Sequence, residues 1–332
     1  MSLSYKKILV TGADGFIGSH LCEKLLASGA DVRAMVLYNS FGYHGWLDFL
    51  PDESKSELDI FSADIRDPFR VSRAMDDIDC VFHLASLIAI PYSYLTPASY
   101  VATNVTGTLN LLQAAREASV KRFVHTSTSE VYGTAQMTPM DEKHPIVGQS
   151  PYAASKIGAD QMAASFGLSF GLPVTTLRPF NTFGPRQSAR AIIPTIICQL
   201  ATKPKQLKLG NLKPTRDFTY IDDLTEAFVA IASVDGAIGK VVNVGSGEEI
   251  SIGDLARRIS ELMEVDVEII EEEERLRPES SEVDRLLCDN SLASDLLGWE
   301  RKISLTEGLR KTINWFADEQ NLRGYHSNRF QI

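Results

Sequence analysis

The amino-acid sequence predicts an α/β protein, a doubly wound parallel sheet followed by a smaller, mixed α/β C-terminal lobe. Three observations lead there. Short apolar runs alternate with helix-patterned segments through the first 180 residues, as strands do when crossover helices join them. The first run, Lys7 to Val10, opens directly into Gly12-Ala-Asp-Gly15-Phe-Ile-Gly18. From Asn181 onward the alternation breaks into shorter, mixed segments, which divides the chain near residue 180.

Each element has a local justification. After the first strand, Ile17, Leu21, Leu25 and Leu26 recur at helical spacing and predict a helix over Gly18–Ser28. Val32–Leu37 and Cys80–Leu84 read as strands. Asn104–Ala118 reads as a helix with Leu109, Leu111, Leu112 and Ala115 inward. Phe123–Thr126 is a strand, Tyr152–Phe170 a long helix and Val174–Leu177 a strand. In the second half, helices are expected at Ile192–Ala201 and Leu224–Ser233, and Leu296–Trp299, then Leu305–Gln320, close the chain. Strands are expected at Gln206–Gly210, Asp217–Ile221 and Asp266–Ile270. The acidic run Glu271 to Glu274 reads as a solvated edge.

Bulk properties exclude several classes. With 332 residues, 44% hydrophobic and 23% charged, the chain can bury a large core. A net charge of −10 argues against nucleic acid as partner, because a phosphate backbone needs a basic face. Cys22, Cys80, Cys198 and Cys288 show no CxxC spacing, so free buried thiols are expected, with no metal site. No signal peptide or spanning stretch is apparent. A cytoplasmic enzyme without a membrane partner is the expected class.

The glycine stretch follows a strand and opens a helix, the context of a dinucleotide-binding loop. Gly12 permits the tight turn, Gly15 admits the pyrophosphate, and Gly18 lets the helix pack closely on the sheet. Residues 1–180 are thus expected to form a Rossmann-type NAD(P)-binding domain, with some later segments returning to it. Residues 181–332 would form mainly a substrate-binding lobe. At the end of the second strand, where an acid usually meets the ribose, stand Val36, Leu37 and Tyr38. Only Asn39 and Ser40 are polar there. NAD and NADP both stay open, with a lean to NAD because no cation is in place. Asp64-Ile65 either caps an adenine or forms a solvated turn.

Two further signals concern chemistry. Thr126-Ser-Thr-Ser-Glu130 ends a strand in hydroxyls and a carboxylate, which are costly to bury without partners. Tyr152 and Lys156 lie four apart on one helix face. A lysine beside a phenol is expected to lower its pKa and make Tyr152 a general base.

Together, the glycine loop, the Thr128 hydroxyl and Tyr152-x-x-x-Lys156 resemble the extended short-chain dehydrogenase/reductase superfamily. The resemblance extends through Phe82-His-Leu-Ala85, Asn104-Val-Thr-Gly107, Arg178-Pro-Phe-Asn181, Arg216-Asp-Phe-Thr-Tyr-Ile-Asp222 and Leu297-Gly-Trp299. Within it the chain resembles nucleotide-sugar 4,6-dehydratases. The stretches SLIAIPYSY, TSTSEVYGTA and NTFGPRQSARAIIPTII look closest to N-acetylglucosamine-nucleotide dehydratases of legionaminic-type sugar pathways.

The resemblance implies a tightly retained NAD or NADP held by Gly12, Asp14, Gly15, Phe16, Ile17, Gly18, Leu84, Ala85, Tyr152 and Lys156. It implies that Thr128 orients the sugar 4-hydroxyl and that Glu130 removes the C5 proton. Many deoxythymidine-diphosphate-sugar dehydratases carry Asp where this chain has Ser129, whereas GDP-mannose dehydratases carry Ser. The proton donor for the departing C6 hydroxyl is thus left between Glu130 and a water.

Substrate contacts implied are Ser93, Asn181, Arg190, Arg216, Arg277 and Glu282, with Tyr94 beside Ser93. Arg186 reads instead as a surface ion pair, and His83 and His125 as satisfied core histidines. Trp46, in the insert FGYHGWLDFL, is expected over the cofactor or a neighbouring subunit. A homodimer through the helices beginning near Asn104 and Tyr152 is also implied. The expected activity is redox-neutral 4,6-dehydration of a nucleotide sugar, UDP-N-acetylglucosamine foremost. The alternatives are a nucleotide-sugar 4- or 5-epimerase and a non-catalytic dinucleotide sensor.

Overall fold

A computed structural model describes residues 3–202, 204–322 and Tyr325. Strands β1 (Lys7–Thr11), β2 (Asp31–Val36), β3 (Leu58–Ser62), β4 (Cys80–His83), β5 (Arg122–Thr126), β6 (Val174–Pro179) and β10 (Val241–Val244) form one parallel sheet. The spatial order is β10-β6-β5-β4-β1-β2-β3, so the chain reverses direction across the sheet between β1 and β4. In such sheets the ligand crevice opens at that switch point, beyond the strand C-termini. The inner strands are largely buried, with β4 chiefly apolar and β5 and β6 carrying the buried polar side chains Arg122, His125 and Arg178.

Helices cover both faces. Leu21 and Leu25 of the Phe16–Ala27 helix pack with Leu224, Ala227 and Phe228 of the Ile221–Ser233 helix against β1 and β4. On the other face, Leu111 and Leu112 join Phe123 and Phe166. Both β10 and the Ile221–Ser233 helix come from beyond residue 180, so the large sheet is completed by late sequence.

The rest of the second half carries two small sheets. Strands β7 (Asn181–Phe183), β9 (Thr215–Tyr220) and β11 (Glu249–Ser251) form one, and β8 (Gln206–Leu209) with β12 (Glu268–Glu271) the other. Their core gathers Phe183, Ile193, Ile196, Leu207, Leu255 and Phe316.

Two helix expectations need correction. The helix expected to begin at Asn104 is preceded by a wider π turn, Val101–Thr106, and becomes regular only over Gly107–Glu117. The Asn104 carboxamide lies in that turn and bonds the Leu87 N–H, the Leu87 carbonyl and the Ser155 hydroxyl. Leu109 is 37% exposed rather than inward, because it sits opposite the buried Leu111–Leu112–Ala115 stripe. The four cysteines are buried and unpaired. Among the described residues no helix is long and apolar enough to cross a membrane.

Candidate active site

The glycine loop is shaped by close approach. Gly12 has φ +67°, and a Cβ there would stand 2.9 Å from the Ala85 backbone. A Cβ on Gly18 would stand 2.1 Å from the Gly12 carbonyl oxygen. Gly15 begins the Phe16–Ala27 helix without a side-chain cap, so the first-turn N–H groups, Phe16 and Ile17 included, have no side-chain acceptor. Such a helix N-terminus suits a pyrophosphate. Opposite, the Leu84 and Ala85 N–H groups both donate to the Thr11 hydroxyl at 3.1 Å, which fixes the loop facing Gly12.

Ser150 starts the Pro151–Phe170 helix by accepting the Ala153 N–H, with Pro151 in the first turn. This places Tyr152, Lys156 and Asp160 at successive fourfold spacings on one face. Tyr152 is 7% exposed and Lys156 4%. The Lys156 ammonium donates to the Thr126 carbonyl at 2.6 Å, at the C-terminal end of β5. Burial brings its pKa down to about 8, opposed by the Asp160 charge.

The turn after β5 sorts the hydroxyl-rich stretch. Thr128 caps it, accepting the Glu130 N–H at 3.2 Å, with its hydroxyl close to the Tyr152 phenol. Burial raises the phenol's pKa, Thr128 opposes, and the Glu130 carboxylate raises it further. The expected lowering by lysine is therefore overturned: desolvation dominates, and the ammonium is directed at the Thr126 carbonyl. Ser129 is buried, 2% exposed. Glu130 is half-buried, and its charge reaches both Tyr152 and Arg216.

Beneath these groups lies a buried polar cluster. The Asp160 carboxylate accepts from His125 Nε2 (3.0 Å), the Ser127 hydroxyl (2.6 Å) and Arg178 Nη2 (2.8 Å). Burial opposes ionisation, yet the His125 hydrogen bond and the Arg178 and Lys156 charges hold Asp160 well below the usual carboxylate range. Sequence reasoning missed Asp160, although its spacing from Tyr152 and Lys156 was a usable signal. His83 is satisfied as expected, bonding the Thr11 and Thr108 hydroxyls at 2.9 Å. His125 is satisfied only at Nε2, since its Nδ1 has no partner among the described residues.

The second half faces this cluster with charge. On β9, Arg216 reaches Glu282 Oε1 at 3.3 Å, and Arg277 approaches the same oxygen at 3.6 Å. One carboxylate thus stands between two guanidiniums. Arg277 Nη1 is buried without a hydrogen bond, as is Asn181 Oδ1 on β7. Arg190 is exposed, with Nε on the Ser188 hydroxyl, and its charge acts on Tyr100, whose ring lies 6.3 Å from that of Tyr152.

Several expected contacts lie elsewhere. Ser93 is fully buried and donates to the Ile90 carbonyl at 2.6 Å, so its hydroxyl serves its own helix and not a sugar. Tyr94 instead bonds the Ser281 hydroxyl at 2.7 Å. The Asn39 side chain closes its own turn through the Phe41 and Tyr43 backbone, and Ser40 is exposed on that turn. Both Asp64 oxygens are engaged by Arg66, and Ile65 packs under Gly107. Arg186 pairs with Glu23 at 2.6 Å, mostly buried rather than at the surface. Trp46 is half-buried, with its backbone N–H on the Asp14 carbonyl of the glycine loop at 3.0 Å. It joins Phe49, Trp315 and Tyr325 in an intrachain aromatic cluster.

A glycine loop at the switch point of a parallel sheet, facing a Tyr–Lys helix pair across β4 and β5, defines an extended short-chain dehydrogenase/reductase. Residues 9–312 match the family described as GDP-mannose 4,6 dehydratase, and the chain belongs to that family. It is 33% identical to a UDP-glucose 4-epimerase of Mycolicibacterium smegmatis over 319 residues, 94% of this chain and 99% of that protein.

It is also 32% identical over 327 residues, 95% of the chain, to an Arabidopsis thaliana trifunctional protein named for UDP-glucose 4,6-dehydratase, 3,5-epimerase and reductase activities. The chain spans about half (48%) of that relative's length. The crystal structure of a dTDP-glucose 4,6-dehydratase from Streptomyces venezuelae with NAD bound superposes with a TM-score of 0.83 at 29% identity. The match covers 96% of this chain and 98% of the other.

Proposed function

We propose that the chain catalyses redox-neutral 4,6-dehydration of a nucleotide sugar, UDP-N-acetylglucosamine, to a 4-keto-6-deoxy sugar, with retained NAD. The observation that carries this reading is the half-buried Glu130, whose N–H lies on the Thr128 hydroxyl at 3.2 Å and whose charge reaches Tyr152. A 4-epimerase needs a tyrosine, a lysine and a hydroxyl, but no carboxylate beside them.

The glycine cradle and uncapped helix fit the dinucleotide, and Lys156 has donors beyond the one given to Thr126 to meet its ribose. When bound, the dinucleotide supplies the oxidation at C4 and the matching reduction at C6. Tyr152 takes the proton of the 4-hydroxyl, which Thr128 orients. Burial raises the Tyr152 pKa, so the phenolate becomes available as base only when the positively charged dinucleotide, once bound, offsets that cost. Glu130 then removes the C5 proton, acidified by the neighbouring ketone, as water leaves from C6. Arg216 and Arg277, with one carboxylate between them, hold the diphosphate, whose oxygens suit the guanidinium fork. Asn181 and Arg190 border the same path. The exposed apolar residues Val101, Leu109 and Leu168 suit a homodimer packed through the two long helices.

Incubating the protein with UDP-N-acetylglucosamine and following product mass tests this. Loss of one water's mass supports dehydration, and an unchanged mass with inverted C4 supports epimerisation. Glu130→Gln should lower turnover by about 10²–10⁴-fold, while oxidation at C4, read as reduced-cofactor absorbance, persists.

A second reading, 4-epimerisation, draws on buried Ser129, which leaves no second acid in the turn.

A further inference from the structure

The anchoring residues Arg277 and Glu282 come from a strap with little regular structure, broken by two single 3-10 turns, Glu273–Arg275 and Glu279–Ser281. The backbone N–H groups of Leu276, Ser281 and Glu282 donate within the strap. Beyond Glu282 the chain is tied to β9. There the Thr215 N–H donates to the Asp284 carbonyl at 2.9 Å, and the Leu286 N–H to the Thr215 carbonyl at 3.2 Å. Around Glu282 itself the fastenings come from the catalytic half.

The chief one is Gln149, the residue before the helix cap Ser150 and three before Tyr152. Its Oε1 accepts the Thr134 N–H at 2.5 Å, four residues after Glu130. Its Nε2 donates to the Glu282 carbonyl at 3.2 Å and to the Ser280 carbonyl at 3.4 Å. The oxygen faces an N–H and the nitrogen faces two carbonyls, so one orientation of the amide satisfies all three. The fit is close: Gly133, at φ +66°, would place a Cβ 2.4 Å from that Oε1.

A second fastening joins the same residue. The Ser281 hydroxyl donates to the Gln149 carbonyl at 2.6 Å. A hydroxyl has one proton to give, so the Tyr94 phenol, 2.7 Å away, is the donor to Ser281. Tyr94 packs on the cluster of Ile90, Tyr100 and Tyr152. Thr134 adds a third, its hydroxyl accepting the Asp284 N–H at 3.1 Å. The strap is thus bound to the turn that carries Glu130, to the start of the Tyr152 helix and to a ring packed beside Tyr152.

We infer that Gln149 is a positioning residue for substrate anchoring: its amide fastens the strap bearing Arg277 and Glu282 to the start of the Tyr152 helix, and so holds the diphosphate site in register with the base. The inference rests on the nucleotide-sugar reading above and deepens it, because it names the contact that joins anchor to catalyst. Gln149 acts through the strap. With its amide in place, Arg277 and Glu282 are ordered before the nucleotide arrives. Without it, the strap is ordered only on binding, and that entropy is subtracted from affinity. The chemical step, made by groups that stay in place, changes little.

Gln149→Glu and Gln149→Met test this against wild type. Both keep the length of the side chain. Glutamate keeps the acceptor for Thr134 but turns an oxygen toward the Ser280 and Glu282 carbonyls, and methionine keeps only bulk. With UDP-N-acetylglucosamine as substrate, each should raise KM about tenfold, with kcat within about threefold of wild type. Hydrogen exchange, read by mass spectrometry on protein without substrate, should speed about tenfold over residues 279–284 and stay unchanged over the Tyr152 helix. Ser281→Ala, which breaks only the second fastening, should raise KM by about threefold.

Gln149 variants whose KM and strap exchange match wild type overturn the inference and leave the nucleotide-sugar reading standing. So does an unchanged KM with altered exchange, melting temperature or kcat, the signature of a role in packing alone. Wild type that neither binds nor converts UDP-N-acetylglucosamine overturns the substrate reading, and the inference with it. If both Gln149 variants fail to fold, Ser281→Ala decides by the same two readings.

Discussion

The two halves of the site hold their charges in opposite ways. Under Tyr152, the Asp160 carboxylate is buried and receives three donors at 2.6 to 3.0 Å. Across the cleft, Glu282 stands 3.3 and 3.6 Å from two arginines, and buried atoms of Arg277 and Asn181 have no hydrogen bond. The Asp160 carboxylate has its donors without a ligand. The second set leaves a guanidinium donor and an amide acceptor unmet. The difference separates a preorganised catalytic face, built on a strand end and a long helix, from an anchoring face whose partners arrive with substrate.

If that contrast is right, breaking the inner set should unfold the protein and breaking the outer set should only weaken substrate. Asp160→Asn leaves Arg178 and Lys156 buried without their counter-charge. A loss of about 3–5 kcal/mol in unfolding free energy is expected by denaturant titration. A loss below about 1 kcal/mol would show that the cluster is not a preorganised unit.

Lys156 sharpens the same point through pH. Its folded pKa of about 8 lies below its ordinary 10.5. Between those values the unfolded chain holds a proton that the folded chain has lost, so stability should rise with pH across that window. Below about pH 8 both states are protonated and the cost of the buried ammonium is fully present. Lys156→Met should remove this rising component from pH-dependent unfolding curves.

On the anchoring side, Arg277→Ala should raise KM for the nucleotide sugar about tenfold, with kcat and unfolding free energy little changed. A fall in kcat with constant KM would place Arg277 with the catalytic set. The smallest effect belongs to Ser93→Ala. Its hydroxyl donates to Ile90 within the protein, so about 1 kcal/mol of stability is expected to go and KM to stay.

Much of this contrast was legible in the chain. The glycine spacing after a strand marks the switch-point loop, because only glycine tolerates the 2.1 Å approach at position 18. Tyr152 and Lys156 are four apart, and helical periodicity alone puts them on one face. Asp160 extends that spacing by another turn, yet nothing local distinguishes it from a solvated carboxylate. Its partners His125, Ser127 and Arg178 come from two other strands. Ser93 and Asn39 failed for the converse reason: each satisfies its hydroxyl or amide within a few residues, which sequence resemblance does not reveal.

By itself, then, the sequence determined what periodicity and backbone sterics encode: the alternating strands and helices, the loop that needs glycine, and the helix face carrying phenol and ammonium. Tertiary structure decided which charges meet. The sharing of Glu282 by Arg216 and Arg277, and the meeting of Asp160 with His125, Ser127 and Arg178, both join distant segments. The physical reason is range. Periodicity acts over one helical turn or one strand, whereas burial and charge depend on what the rest of the fold brings within a few ångströms.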